Sequence, residues 1–140
     1  METTKKVGQT KDSGFQIGVR RTFPISLSTL WDFLFSDEGL KIWLGKISLS
    51  EFEANSSFHT VDGIEGVVRL YKPLSHIRLT WKKKGWKNFS SLQIRVIDNK
   101  GKSTVSFHQD KLLNSTQREE MKAYWDRVLG KISEKIRVEN

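Results

Sequence analysis

Near the C-terminus, apolar side chains recur at Met121, Tyr124, Trp125, Val128, Leu129, Ile132 and Ile136. Their offsets from Met121 are 3, 4, 7, 8, 11 and 15, which lay them along one side of an α-helix. Lys122, Asp126, Arg127, Lys131 and Glu134 fill the polar positions between them. A helix over 115–137 extends about 35 Å at ~1.5 Å per residue. One apolar stripe of that length needs an apolar surface of similar length to cover, and a sheet is the simplest one.

The preceding chain supplies such a sheet. Residues 1–14 are polar and without periodicity, and read as a flexible N-terminal tail ahead of one domain over 15–140. Phe15, Ile17 and Val19 alternate with Gln16, Gly18 and Arg20, the pattern of a half-buried strand. Ser26 or Ser28 can cap a short helix carrying Leu30, Trp31, Phe33 and Leu34. Ser36 followed by Asp37 and Glu38 opens a second with Leu40, Ile42, Trp43 and Leu44, its acids at the positive end of the dipole. Strands are expected over 47–52, 58–61, 64–71, 76–81, 91–96 and 104–108, with Asp62-Gly63 as a two-residue hairpin turn. The fold class is α+β: an antiparallel sheet of about six or seven strands, two short helices, and a long C-terminal helix across the concave face.

Composition narrows the chemistry. The chain has 140 residues and no cysteine. Disulfides, thiol nucleophiles, iron–sulfur clusters and zinc ribbons are therefore excluded. Its 36% hydrophobic content is modest, so five Trp and eight Phe must supply much of the buried area. No apolar run approaches a membrane span and no signal core opens the chain, so a cytoplasmic domain without membrane insertion is expected.

Leu30-Trp31-Asp32, 38–44, Gly66-Val67-Val68, Pro73 with 77–81, Ser103-Thr104-Val105 with His108, and 124–129 in the long helix follow one another in a recognisable order. Together they resemble the SRPBCC superfamily (START-like and birch-pollen-allergen-like domains) and its helix-grip fold. More narrowly, the chain is similar to homologues of the activator of heat-shock protein 90 ATPase, of the C-terminal-domain type, over roughly 15–136. Tyr124 departs from the pattern, standing where many relatives place Gly before the helix Trp, which implies a narrower space beneath. The resemblance implies a fold and a ligand pocket or a chaperone partner, not a reaction. The extra N-terminal domain of the full-length eukaryotic co-chaperone has no counterpart in this sequence, which favours the ligand-binding expectation.

Catalytic and metal constellations are not indicated. His59, His76 and His108 fall on separate expected strands with no ligand-like spacing, so no metal or cofactor is expected. Ser106, His108 and Asp110 are neighbours on one strand, an arrangement that rarely builds a triad. Neither a dinucleotide nor a P-loop glycine motif is present, and Gly63, Gly85 and Gly101 suit turns. The carboxylate pairs Asp37-Glu38 and Glu119-Glu120 suit helix starts. The chain is expected not to be an enzyme.

Two binding readings remain. Trp31, Phe33, Trp43, Phe52, Phe58, Trp81, Phe107 and Trp125 all fall on faces expected to point inward or to line the helix–sheet gap. They either fill the core or line a cavity for a small hydrophobic ligand. The expected cavity set is Trp31, Trp43, Phe58, Tyr71, Trp81, Phe107, Met121, Tyr124 and Trp125. The second reading uses the hairpin Lys82, Lys83, Lys84, Trp86 and Lys87, whose four charges are half of the net +8. It is either a soluble turn guarding a sheet edge or a contact for an acidic chaperone surface, with Trp86 as an exposed anchor. No aromatic pair or recognition helix marks a specific nucleic-acid site. A monomer or weak homodimer is expected.

Overall fold

A computed structural model describes residues 9–10, 14–47 and 53–139. Strand β1 (Gln9–Thr10) is followed by β2 (Gly14–Phe23), helices α1 (Leu27–Leu34) and α2 (Asp37–Trp43), and β3 (Ser57–His59). Then come β4 (Glu65–Lys72), β5 (His76–Trp81), β6 (Ser90–Asn99), β7 (Lys102–Leu112) and α3 (Ser115–Glu139). All strand pairs are antiparallel, in the order β1-β2-β7-β6-β5-β4-β3. The long β2 therefore pairs with the last strand, while α1 and α2 carry the chain to the far edge at β3.

Local chemistry explains the helix starts. The Ser26 hydroxyl accepts from the Thr29 backbone N–H at 3.2 Å, and Ser36 accepts from Gly39 at 3.1 Å. Asn114, ahead of α3, accepts from Gln117 N–H at 2.9 Å. The stripe of α3 buries Met121, Trp125, Val128, Leu129, Ile132 and Ile136 against the sheet. Alternation is regular on β6, where Ser90, Leu92, Ile94 and Val96 face inward and 91, 93, 95 and 97 are only half-buried. The sheet thus has a helix-covered inner face and a polar outer face.

Three local expectations differ from the structure. Gln9–Thr10, inside the expected tail, pairs with Phe15 and Gly14. The hairpin at Asp62-Gly63 has a three-residue loop rather than a two-residue one. Thr60 N–H bonds to Ile64 O at 2.8 Å and Gly63 N–H bonds back to Thr60 O at 3.0 Å. Gly63 supplies φ +95°, so its glycine closes a longer loop of the bulged type. The strand expected over 47–52 begins at Ile47, which is not in a strand, and its other residues, Phe52 included, lie outside the described residues.

Candidate functional site

The space between α3 and the inner sheet face is organised by rings. Trp81 comes from β5, Phe107 from β7, and Tyr124 and Trp125 from α3. Phe107 and Trp125 stack with centroids 4.7 Å apart. Trp81 lies 5.4 Å from Trp125 and meets Tyr124 edge-on at 5.8 Å, while Tyr124 and Trp125 are perpendicular at 4.8 Å. Trp81, Phe107, Met121 and Trp125 are at most 1% exposed, so these rings occupy the gap they line. Tyr124 is half-buried and donates its hydroxyl to the Trp43 carbonyl at 2.6 Å. Burial pushes its phenol well above the ordinary value, outweighing the lowering by Arg127.

A second ring group sits beside the first. Trp31 and Phe35 are 4.4 Å apart, and Tyr71 on β4 lies 5.9 Å from Trp31 and 5.7 Å from Phe35. Desolvation raises the Tyr71 phenol, against a hydrogen bond with Trp31 that lowers it. Trp43 joins this group edge-on to Phe35 at 6.0 Å. Of the expected cavity set, Trp43, Trp81, Phe107, Met121, Tyr124 and Trp125 are brought together under α2 and α3, with Trp31 and Tyr71 at the α1 end. Phe58, buried in the same core cluster, lies on edge strand β3, where it borders a surface recess of about 380 Å³ with Gly66, Val67 and Phe89.

The polar groups among the rings distinguish one tryptophan. Trp43 Nε1–H donates to Leu34 O at 2.8 Å, and Trp125 Nε1–H donates to Gln109 Oε1 at 2.8 Å. Gln109 in turn donates to Ser90 Oγ at 2.8 Å, and Ser90 donates to Trp81 O at 2.7 Å. Both Gln109 and Ser90 are at most 1% exposed. Trp81 Nε1–H, equally buried, meets no acceptor. A buried donor without a partner is uncommon in a native interior, since it forfeits its bond to water. Gln109 and Ser90 were not singled out in the sequence. Their only signal is a polar residue on an inward position of an otherwise apolar alternation.

The lysine hairpin is less free than its composition suggests. Lys83 is ion-paired with Glu120 of α3, and Lys82 Nζ lies 5.2 Å over the Phe89 ring. Asn88 and Gln117 exchange amide hydrogen bonds of 3.0 and 3.1 Å, tying the same hairpin to the first turn of α3. Trp86, expected to stand out as an anchor, is half-buried against the core. Lys84 and Lys87 remain exposed. The histidines are separate: His108 bonds Gln16 Oε1 at 2.9 Å, and His76 bonds Ser75 Oγ at 2.8 Å.

This order of elements, with a long helix gripped by an antiparallel sheet over a ring-filled gap, can be compared with known proteins. Residues 24–136 match the family described as "Activator of Hsp90 ATPase homolog 1-like protein". The chain belongs to that family. No curated protein sequence matched. Among solved structures, CalU16 from Micromonospora echinospora is similar with 14% identity and a TM-score of 0.72, over 84% of this chain and 72% of that one. An Hsp90 activator from Plasmodium falciparum is similar with 14% identity and a TM-score of 0.67, over 80% and 88%. The Aha1 dimer from Colwellia psychrerythraea shows 16% identity and a TM-score of 0.69, over 84% and 92%. These likenesses establish the α+β helix-grip fold of this Hsp90-ATPase-activator homologue. Among its described residues, no helix is long and apolar enough to cross a membrane.

Proposed function

We propose that this activator homologue is a non-catalytic binding domain whose α3–sheet gap receives a small hydrophobic ligand bearing a neutral acceptor oxygen. The observation that carries the reading is the unpartnered Trp81 indole N–H at the centre of an apolar, aromatic lining. Apolar pockets with a few placed polar groups are the usual form of small-molecule sites. A carbonyl or hydroxyl oxygen would satisfy that donor, whereas a carboxylate would bring an uncompensated charge into the rings. In the ligand-free form the rings close the gap, so the ligand selects a minor arrangement in which Tyr124 swings away from Trp81. The test is a tryptophan-fluorescence titration with 2-acetylnaphthalene and with naphthalene. Tighter binding of the ketone, with the advantage abolished in Trp81→Phe, is the expected result. Equal affinity for both compounds, or no binding of either, would contradict it.

A second reading rests on the exposed Lys84 and Lys87, held in place by the Lys83–Glu120 and Asn88–Gln117 contacts. A pinned loop with projecting cations suits an acidic chaperone surface, with Lys82, Lys83, Lys84, Trp86 and Lys87 forming the contact region. Stimulation of a chaperone ATPase by the wild type and its loss in Lys84→Glu/Lys87→Glu at low salt would support this role. Unchanged stimulation in that variant would remove the hairpin from consideration.

A further inference from the structure

The strand register gathers a set of cations on the outer face that lie far apart in sequence. Lys72 on β4 is opposite His76, His76 is opposite Arg95, Arg95 is opposite Ser106, and Ser106 is opposite Arg20 on β2. Directly opposed residues point to the same side of a sheet. The row therefore runs straight across five adjacent strands, about 19 Å at ~4.8 Å per strand. The next row is Leu70, Arg78, Gln93, His108 and Gly18. Together the two rows carry four permanent cations and no carboxylate. Among the described residues, Lys72, Arg20, Arg78 and Arg95 make no ion pair; Arg78 only donates to Gln93 Oε1 at 3.0 Å. The nearest acid on this face, Asp110, stands one row further, opposite Ser91. The helices contact the other side of the sheet.

We propose that this outer sheet face binds the phosphate backbone of duplex nucleic acid without reading its bases. A straight row of cations without acids complements a linear polyanion. Three of the four cations are arginines, although arginines are the minority among the chain's 24 basic residues. Arginine's planar fork suits discrete phosphate oxygens better than the diffuse charge of a bilayer. Neither row contains a Phe, Tyr or Trp side chain to stack on a base or to anchor a protein partner. Arg78 and Gln93 are hydrogen-bonded to each other, so the face offers cations for positioning on phosphates rather than a projecting helix or ribbon for base edges. This proposal is independent of the ligand reading, because it uses the opposite side of the sheet. His76 reports on the same field: burial, then Arg95, Arg78 and Lys72, hold its imidazole below the ordinary value.

The experiment follows binding of a fluorescein-labelled random-sequence DNA duplex by anisotropy between 50 and 200 mM NaCl. Four phosphate contacts predict a slope of log K against log salt of about −3.6, a loss of roughly 10²-fold across that range. Replacing the exposed ends of the row, Arg20→Gln with Lys72→Gln, should flatten the slope by about two, with the melting temperature unchanged. The Lys84→Glu/Lys87→Glu hairpin variant should leave the slope as in the wild type. In NMR titrations, duplex should raise the pKa of His76, since phosphates offset the neighbouring cations. No binding at 50 mM salt, or a slope altered only by the hairpin variant, would overturn the proposal. So would tighter binding to polyglutamate or to phosphatidylserine vesicles, which would assign the face to an acidic protein or a membrane.

Discussion

Trp81 and Trp125 carry the same indole and the same burial, yet differ in what their N–H groups meet. Trp125 closes a chain through Gln109 and Ser90 to the Trp81 carbonyl, and Trp81 Nε1–H closes nothing. Trp125→Phe should therefore strand Gln109 Oε1 and cost about 1–3 kcal/mol beyond the loss of ring volume. Trp81→Phe removes a donor that was never satisfied and should cost less. Urea midpoints of the two variants provide the comparison, and equal losses would mean that Trp81 has an acceptor in solution. Two motif glycines are explained at the same scale. A Cβ on Gly66 would overlap the Thr80 carbonyl oxygen, and one on Gly39 would overlap that of Phe33. Gly66→Ala should destabilise by about 1–3 kcal/mol or more, because the neighbour is backbone and cannot turn aside. Tyr124 adds a pH signature. Its folded pKa is raised above that of the unfolded phenol, so the unfolded chain loses its proton first as pH rises. Stability should be unaffected below pH ~9 and should fall as pH climbs through ~10 and above. Tyr124→Phe should blunt that fall in thermal melts.

At the scale of elements, α3 is the most legible part of the sequence. Its apolar spacing alone places the buried stripe, and the side chains from Met121 to Ile136 take the positions that spacing assigns. The alternations of β5 and β6 are equally direct. What the one-dimensional pattern omits is the set of contacts that seat α3. Arg118 donates to Gln16 O at 3.0 Å, Lys135 pairs with Glu38 at 2.8 Å, and Gln117 meets Asn88. Each joins residues distant in sequence, and no local propensity encodes them. Gln109 and Ser90 were illegible for another reason: inward polar residues break the alternation, and only their partners show why they are tolerated. The Lys83–Glu120 pair likewise turned an apparently free charge into a tether. Asn114 is the local exception, since an Asn before a helical stripe is a recognised cap. Asn114→Ala should cost about 0.5–2 kcal/mol, read as a lower urea midpoint with unchanged slope.

For the whole molecule, the sheet separates two chemistries. Its inner face is an aromatic and aliphatic interior with, among the described residues, one unpaired side-chain donor, and its outer face carries two acid-free rows with cations. The net +8 is therefore not confined to the hairpin, although four of its contributors fall within residues 82–87 there. The outer rows escaped a linear reading because residues 20, 72, 78 and 95 become neighbours only through the pairing of β2, β4, β5, β6 and β7. The family and fold were legible from short ordered segments; the inward placing of the rings was legible from the alternation, but their hydrogen-bond pattern was not. On the proposed reading, the inner face binds a neutral, acceptor-bearing apolar molecule through Trp81. The most direct measurement is the ¹H–¹⁵N spectrum of the five indole groups during titration with 2-acetylnaphthalene. The expected result is a downfield shift and slowed hydrogen exchange for the Trp81 Nε1–H, larger than for Trp43 and Trp125. An unmoved Trp81 signal while the ketone binds elsewhere, or a spectrum that does not change at all, would contradict it.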